Sequence, residues 1–215
     1  MLLRPPGVYR AQDDTSVLVD AMERGGYALG RDVLDLCTGT GAVALAAARA
    51  GAASVTAVDL SLRSVLASRA NSLVHGARLR VRRGDLFAPV AGRRFGLVVA
   101  NPPYVCASDE TLPRHSKGRC WDAGVDGRAL LDRICAGAGD AVAEGGHVLL
   151  VHSALCGAER SVEALTDAGF SAGVLARARI PFGPVMRARA GMLETRGLIA
   201  PGERTEELVV IGGAR

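Results

Sequence analysis

The sequence predicts a single α/β domain of 215 residues, built on a mostly parallel sheet with helices on both faces. Three observations point there. Short β-branched or apolar runs alternate with amphipathic stretches along almost the whole chain. Two of the runs, Leu97-Val98-Val99-Ala100 and His147-Val148-Leu149-Leu150-Val151, are apolar nearly without a break, as strands buried on both faces are. With 49% hydrophobic and 22% charged residues, the chain can also fill one full core. No repeat or linker divides it.

A helix over 15–24 comes first, with Asp14 or Thr15 placed to cap it and Gly25-Gly26 to stop it. A strand over 32–36 runs into Cys37-Thr38-Gly39-Thr40-Gly41, and an alanine-rich helix over 42–50 follows, closed by Gly51. The second strand covers 54–58 and ends at Asp59. The helix over 62–74 is expected to bury Leu62, Val65, Leu66 and Leu73 and to expose Arg63 and Arg69. A third strand over 79–81 leads to Gly84-Asp85-Leu86, and a fourth over 95–100 is halted by Asn101-Pro102-Pro103. An irregular stretch over 104–125 holds the only tryptophan, Trp121; loops of that length in compact domains are usually functional or disordered. Beyond it the pattern gives a helix over 128–142, a strand over 146–151, a helix over 158–168, and strands over 171–176 and 208–211.

Charge and cysteine usage narrow the class. The net charge of +4 permits an acidic partner without demanding one, and Lys117 is the single lysine, so the basicity is arginine and reads in part as coding bias. Cys37, Cys106, Cys120, Cys135 and Cys156 are scattered and form no C-x-x-C pair, which fits reduced thiols in a cytoplasm. Residues 1–10 are not expected to be a signal peptide, and no apolar run approaches the ~20 residues of a membrane span. His75, His115, His147 and His152 show no metal-ligand spacing, and no metal site is expected.

In open α/β sheets, ligands bind beyond the carboxyl ends of the strands, and four unusual groups lie there. After the first strand, Asp35-Leu36-Cys37-Thr38-Gly39-Thr40-Gly41 offers a tight, closely approachable backbone at a helix start. Asp59 could accept two ribose hydroxyls, or could merely cap the next helix, a task open to Ser61. Asp85 could accept from the exocyclic amine of a base, or be a solvated turn residue. Asn101-Pro102-Pro103-Tyr104 is the most specific: two prolines remove two amide donors and leave acceptors beside the Asn side-chain oxygen. Such a site grips an NH₂ group, with a tyrosine ring to pack on its planar parent.

Together these residues resemble a class I S-adenosylmethionine-dependent methyltransferase acting on planar nitrogens. Val8-Tyr9 with Asp13-Asp14-Thr15, the segment Trp121-Asp122-Ala123-Gly124-Val125-Asp126-Gly127-Arg128, and the closing Glu206-Glu207-Leu208-Val209-Val210-Ile211 resemble the HemK/PrmC family of protein-(glutamine-N5) methyltransferases. The departures are Ala11, where members often carry proline, and Cys37, where they often carry glycine. The resemblance implies a Rossmann-like sheet of seven strands with an antiparallel last strand, and one methyltransferase domain whose residues 1–30 pack over the cofactor site. It implies cofactor contacts at Thr15, Asp35, Cys37, Thr38, Gly39, Thr40, Gly41, Asp59, Leu60, Asp85, Leu86 and Asn101, and acceptor binding at Asn101, Pro102, Pro103 and Tyr104. S-adenosyl-L-homocysteine would be the product. The expected substrate is the glutamine of the Gly-Gly-Gln loop of a peptide chain release factor. The chain is closer to the family's short form, in which a small zinc-binding activator subunit can be required. An adenine-N6 or small-molecule N-methyltransferase, and a non-catalytic binding subunit, are the competing readings; specific nucleic-acid binding is not expected. Arg177, Arg179, Arg187, Arg189 and Arg196 are read as a solvated face.

Overall fold

A computed structural model describes residues 1–110 and 117–215; His115 and the middle of the 104–125 stretch lie outside the described residues. The chain runs α1 (Asp13–Arg24), β1 (Asp32–Leu36), α2 (Ala42–Arg49), β2 (Ser54–Asp59), α3 (Leu62–Val74), β3 (Leu79–Arg83), β4 (Phe95–Ala100), α4 (Leu131–Ala141), β5 (Val142–Ser153), α5 (Ala158–Asp167), β6 (Ser171–Pro181), α6 (Pro184–Thr195) and β7 (Thr205–Ala214). Among the described residues, seven strands form one sheet in the order β3-β2-β1-β4-β5-β7-β6. β1 pairs in parallel with β2 and β4, as do β2 with β3 and β4 with β5, whereas β7 runs antiparallel between β5 and β6.

Strand alternation sorts side chains onto the two faces of the sheet. Leu34, Leu36, Val98, Ala100, Val148 and Leu150 meet Ile134, Cys135 and Ala138 of α4 and Leu165 of α5. Val33, Val55, Ala57, Leu97, Val99, Leu149 and Val151 meet Leu18 and Met22 of α1, Val43, Ala44 and Ala47 of α2, and Val65 of α3. Each fully buried Val, Leu, Ile or Met among them is worth roughly 1.5–3 kcal/mol.

Four expectations are corrected. First, α1 begins at Asp13, after Gln12, whose side chain makes no capping hydrogen bond; Asp14 lies inside the first turn, where its carboxylate accepts from the Thr15 N–H at 2.6 Å. Second, α3 turns its large apolar residues outward: Leu62, Leu66 and Leu73 are exposed, and apart from Val65 the helix buries Ser64, Ala67, Ser68, Asn71 and Ser72. The cause is close approach to the glycine loop, where a Cβ added at Gly41 would stand 2.6 Å from the Ser68 hydroxyl. Third, the stretch between β6 and β7 contains α6, whose buried Met186, Ala190 and Leu193 pack with Cys106, Phe182 and Ile199. Fourth, the C-terminal arginines are not simply a solvated face. Arg189 donates to the Cys106 carbonyl at 2.7 Å and pairs with Asp122, and Arg196 donates to the Ala107 carbonyl at 3.1 Å. They tie α6 to the chain beyond Tyr104, itself paired back through Val105 N–H to Trp121 O (2.7 Å) and Ala107 N–H to Gly124 O (2.8 Å).

Candidate active site

The strand order reverses around β1, which lies between β2 and β4, and this is where α/β sheets open a crevice. Leu36 is in register with both Val58 and Ala100. Cys37, Asp59 and Asn101 therefore follow at one level, on three adjacent strand ends.

The loop after β1 is held from below. Asp35, 1% exposed, accepts from the Thr38 hydroxyl at 2.5 Å and from the Ala44 N–H at 3.1 Å, which fastens the turn to the start of α2. Its place is under the loop rather than on its open surface. Burial, with a smaller push from Asp59, raises the Asp35 carboxyl to about 7. Thr38 and Thr40 are also buried. Cys37, Gly39 and Gly41 take φ values of 58°, 57° and 83°, so the turn is left-handed at three points. A Cβ at Gly39 would meet only the Cys37 carbonyl, at 4.0 Å, which leaves this stretch of backbone open to a ligand.

Asp59 accepts from the Gly39 N–H at 2.9 Å and from the Ser61 N–H at 2.8 Å, linking the first two strand ends. Capping of α3 falls to Ser61, whose hydroxyl accepts from Ser64 N–H at 3.4 Å, so Asp59 is not the cap. Leu60 stands 48% exposed beside it. At the end of β3, Leu86 is buried with φ 43°, a conformation a branched side chain adopts only under constraint. The Asp85 carboxylate forms an ion pair with Arg133 at 2.6 Å. The pair is about half exposed and contributes little stability.

Asn101 is half-buried, Pro102 buried and Pro103 half-buried. The Asn101 amide donates to the Thr15 hydroxyl at 3.2 Å, which brings α1 to the tip of β4. Tyr104 is 9% exposed, packed with Leu131, Cys156 and Leu208, and its hydroxyl donates to Asp14 at 3.2 Å. It anchors the Asn-Pro-Pro turn from beneath instead of offering an open stacking face, and the Cys156 thiol holds its carbonyl at 3.1 Å.

Two further residues, read from the sequence as a helix cap and as part of the family's segments but not as site residues, lie here. Asp14, 4% exposed, also accepts from the Tyr9 hydroxyl at 2.7 Å. Glu206 of β7 is buried nearby, with one carboxylate oxygen lacking a hydrogen-bond partner. Burial first, and then the Asp14 charge against a Ser153 hydrogen bond, raises it to about 7. A folded-state value above the ordinary 4.5 means that the folded protein holds this proton more tightly than the unfolded chain. The associated stability is full below about pH 4.5 and drains away as pH rises through 7. Glu206→Gln should match the wild type near pH 4.5 and exceed it by about 3 kcal/mol at pH 8. Urea unfolding at both pH values checks this; an equal difference at the two would refute it.

Residues 2–114 match the methyltransferase small domain family. The chain belongs to that family. A Methanocaldococcus jannaschii protein provisionally named as a protein N5-glutamine methyltransferase is 29% identical over 84% of this chain and 90% of its own length. The release factor glutamine methyltransferase of Bordetella pertussis is 35% identical over 68% of this chain and 57% of its own. The fold matches the E. cuniculi structure titled as the Mtq2–Trm112 complex, with a TM-score of 0.65 and 23% identity over 97% of this chain and 99% of that one. The methyltransferase small domain therefore sits on a class I, Rossmann-like sheet, a fold shared with a T. thermophilus 16S rRNA methyltransferase solved with S-adenosylmethionine bound (TM-score 0.66, 22% identity over 99% of this chain and 46% of that one).

The residues present fit that cofactor. Asp59, Asp35 and Asp85 all raise the Cys37 thiol, beyond a larger contribution from burial, and the Arg133 charge offsets them only in part. Carboxylates gathered about the loop suit a sulfonium and an ammonium, and the open Gly39 backbone admits a close approach. Among the described residues no group of His, Cys, Asp or Glu could hold a metal, and no helix is long and apolar enough to cross a membrane.

Proposed function

We propose that this methyltransferase acts on the side-chain amide of glutamine in the Gly-Gly-Gln loop of a peptide chain release factor. The observation that carries the proposal is the tip of β4: Asn101, Pro102 and Pro103 present acceptors with two amide donors missing, one residue past the register that joins β4 to the glycine loop. A glutamine amide is a poor nucleophile because its lone pair is delocalised into the carbonyl. It carries two N–H bonds, though, and an acceptor-only turn orients them. The Asn101 Oδ1 and the Pro102 carbonyl accept these bonds and turn the nitrogen toward the loop formed by Thr38, Gly39, Thr40 and Gly41. That loop, with Asp59, Leu60 and Leu86, holds S-adenosylmethionine. The cofactor supplies an electrophilic methyl on sulfur. The chain contributes orientation, which can be worth on the order of 7–11 kcal/mol, and the methylated nitrogen then gives up a proton to solvent. Asp35 and Cys37 act through the loop's shape, and Tyr104 through the placement of Asn101.

Residues 1–30 cover the cofactor loop in this reading. Support comes from Asn71, fully buried on α3, which accepts from Leu3 N–H at 2.7 Å and donates to the carbonyls of Leu3 and Thr40, both at 2.9 Å. The protein works in the cytoplasm, in keeping with five free cysteines. A small activator subunit belongs to the proposal: the exposed stripe Leu62, Leu66 and Leu73 offers it apolar surface to cover.

The deciding experiment incubates the full chain and labelled S-adenosylmethionine with a release factor or its Gln→Ala variant, with and without a candidate activator. One added methyl on the first, located to the glutamine by mass spectrometry, and none on the second is the expected result. Label in neither, under both conditions, rejects the release factor as substrate.

A further inference from the structure

We infer that Asp14 is a positioning residue: through the Thr15 hydroxyl it fixes which end of the Asn101 amide faces the methyl acceptor. The inference rests on Asn101 being the acceptor-binding group and adds the element that orients it. Four donors converge on the Asp14 carboxylate. Oδ2 takes the hydroxyls of Tyr9 (2.7 Å) and Tyr104 (3.2 Å), and Oδ1 takes the Thr15 N–H (2.6 Å) and the Thr15 hydroxyl (3.2 Å). A carboxylate only accepts, and a threonine hydroxyl has one proton to give. Once that proton goes to Asp14, the Thr15 oxygen can only accept from Asn101. The Asn101 amide must then turn its NH₂ to Thr15, the arrangement seen at 3.2 Å. Its carbonyl oxygen is left for an incoming N–H.

The opposite rotamer of the amide would set a carbonyl against the Thr15 lone pairs and offer NH₂ to an NH₂ substrate. Both contacts would be repulsive. Asp14 thus decides the polarity of the whole relay although it touches neither reactant. Tyr9 and Tyr104 keep it in place, and both phenols are raised above their ordinary range, by burial first and by the Asp14 charge next, so both remain donors.

Thr15→Val keeps the side chain's shape and removes the relay's one hydroxyl; Thr15→Ser keeps the hydroxyl. With a glutamine-bearing release factor as acceptor, Thr15→Val should lower kcat by about 30-fold or more, on the scale of losing one oriented partner at a reacting centre. Affinity for S-adenosylmethionine, measured by calorimetry, should stay within about threefold, and Thr15→Ser should recover most of the rate. The Asn101 side-chain NH₂, assigned by its absence from the ¹⁵N spectrum of Asn101→Asp, should lose exchange protection in the valine variant and keep it in the serine variant. Unchanged kcat, a serine variant as slow as the valine one, or a loss confined to cofactor affinity would each overturn the inference. The NMR comparison needs no acceptor. A wild type that methylates no glutamine defeats the substrate reading, while identical Asn101 exchange in wild type and Thr15→Val defeats the relay. Should Thr15→Val fail to fold, Asp14→Ala, which removes the acceptor of the Thr15 proton, supplies the same comparison, with the same loss expected.

Discussion

Asn101→Ala is expected to lower the single-turnover methylation rate by about 10²–10³-fold, the range seen when one preorganised polar partner of a reacting group is deleted. The substitution removes the only side-chain acceptor of the Asn-Pro-Pro turn and leaves the Pro102 carbonyl in place. With one of two guides gone, the substrate NH₂ can rotate out of line, and reaction rate depends steeply on that alignment. Folding should hardly suffer: the lost interaction within the protein is a neutral hydrogen bond of 3.2 Å to Thr15, worth about 1 kcal/mol. Cofactor affinity should also survive, because Asp59 and the glycine loop are joined by their own hydrogen bond, Gly39 N–H to Asp59 at 2.9 Å. Quench-flow with mass spectrometry gives the rate and calorimetry gives the affinity. A variant that binds cofactor normally and turns over within tenfold of wild type would remove Asn101 from the acceptor site.

What the sequence made legible follows the physics of each element. β4 and α3 have the bounds anticipated, because unbroken apolar runs and a Ser61 cap are local signals. The orientation of α3 was not legible. Periodicity marks where large apolar residues lie, but the helix buries its small side so that Ser68 can sit against Gly41. α6 was hidden by a Gly183 start without a side-chain cap and by its arginines, although Met186, Ala190 and Leu193 at helical spacing were the signal available. In the site, the residues at the ends of β1, β2 and β4 could be named because strand ends are where such sheets bind ligands. The Asp14 hub could not: Tyr104 lies 90 positions away, and the Thr15 contact of Asn101 spans 86. Contacts of that range have no sequence period.

Arg128 presents the same difficulty and supports the second large prediction. It is an arginine with 1% of its surface exposed. Its guanidinium donates to the carbonyls of Cys156 (2.7 Å) and Gly157 (3.3 Å), to the Ser161 hydroxyl (3.0 Å), and to Asp132 through Nε (2.8 Å) and a second nitrogen (2.6 Å). The planar fork thus joins the segment before α4 to the turn that starts α5, and the Cys156 thiol passes that link on to the Tyr104 carbonyl at 3.1 Å. Arg128→Met fills much of the volume but strands two carbonyls and a hydroxyl. The expected destabilisation is about 3–5 kcal/mol, from buried acceptors left without a donor at about 1–3 kcal/mol each. Arg128→Lys should rescue little, since an ammonium on a flexible stem cannot reproduce the fork. A second readout separates lost charge from lost packing. His152, fully buried, is depressed to about 4, by burial first and by the Arg128 charge in addition, opposed by a hydrogen bond to the Ser153 carbonyl. In Arg128→Met its titration, followed by NMR, should move up toward the ordinary imidazole range. A variant with wild-type urea midpoint and an unmoved His152 would show that the corner is held by apolar contact alone.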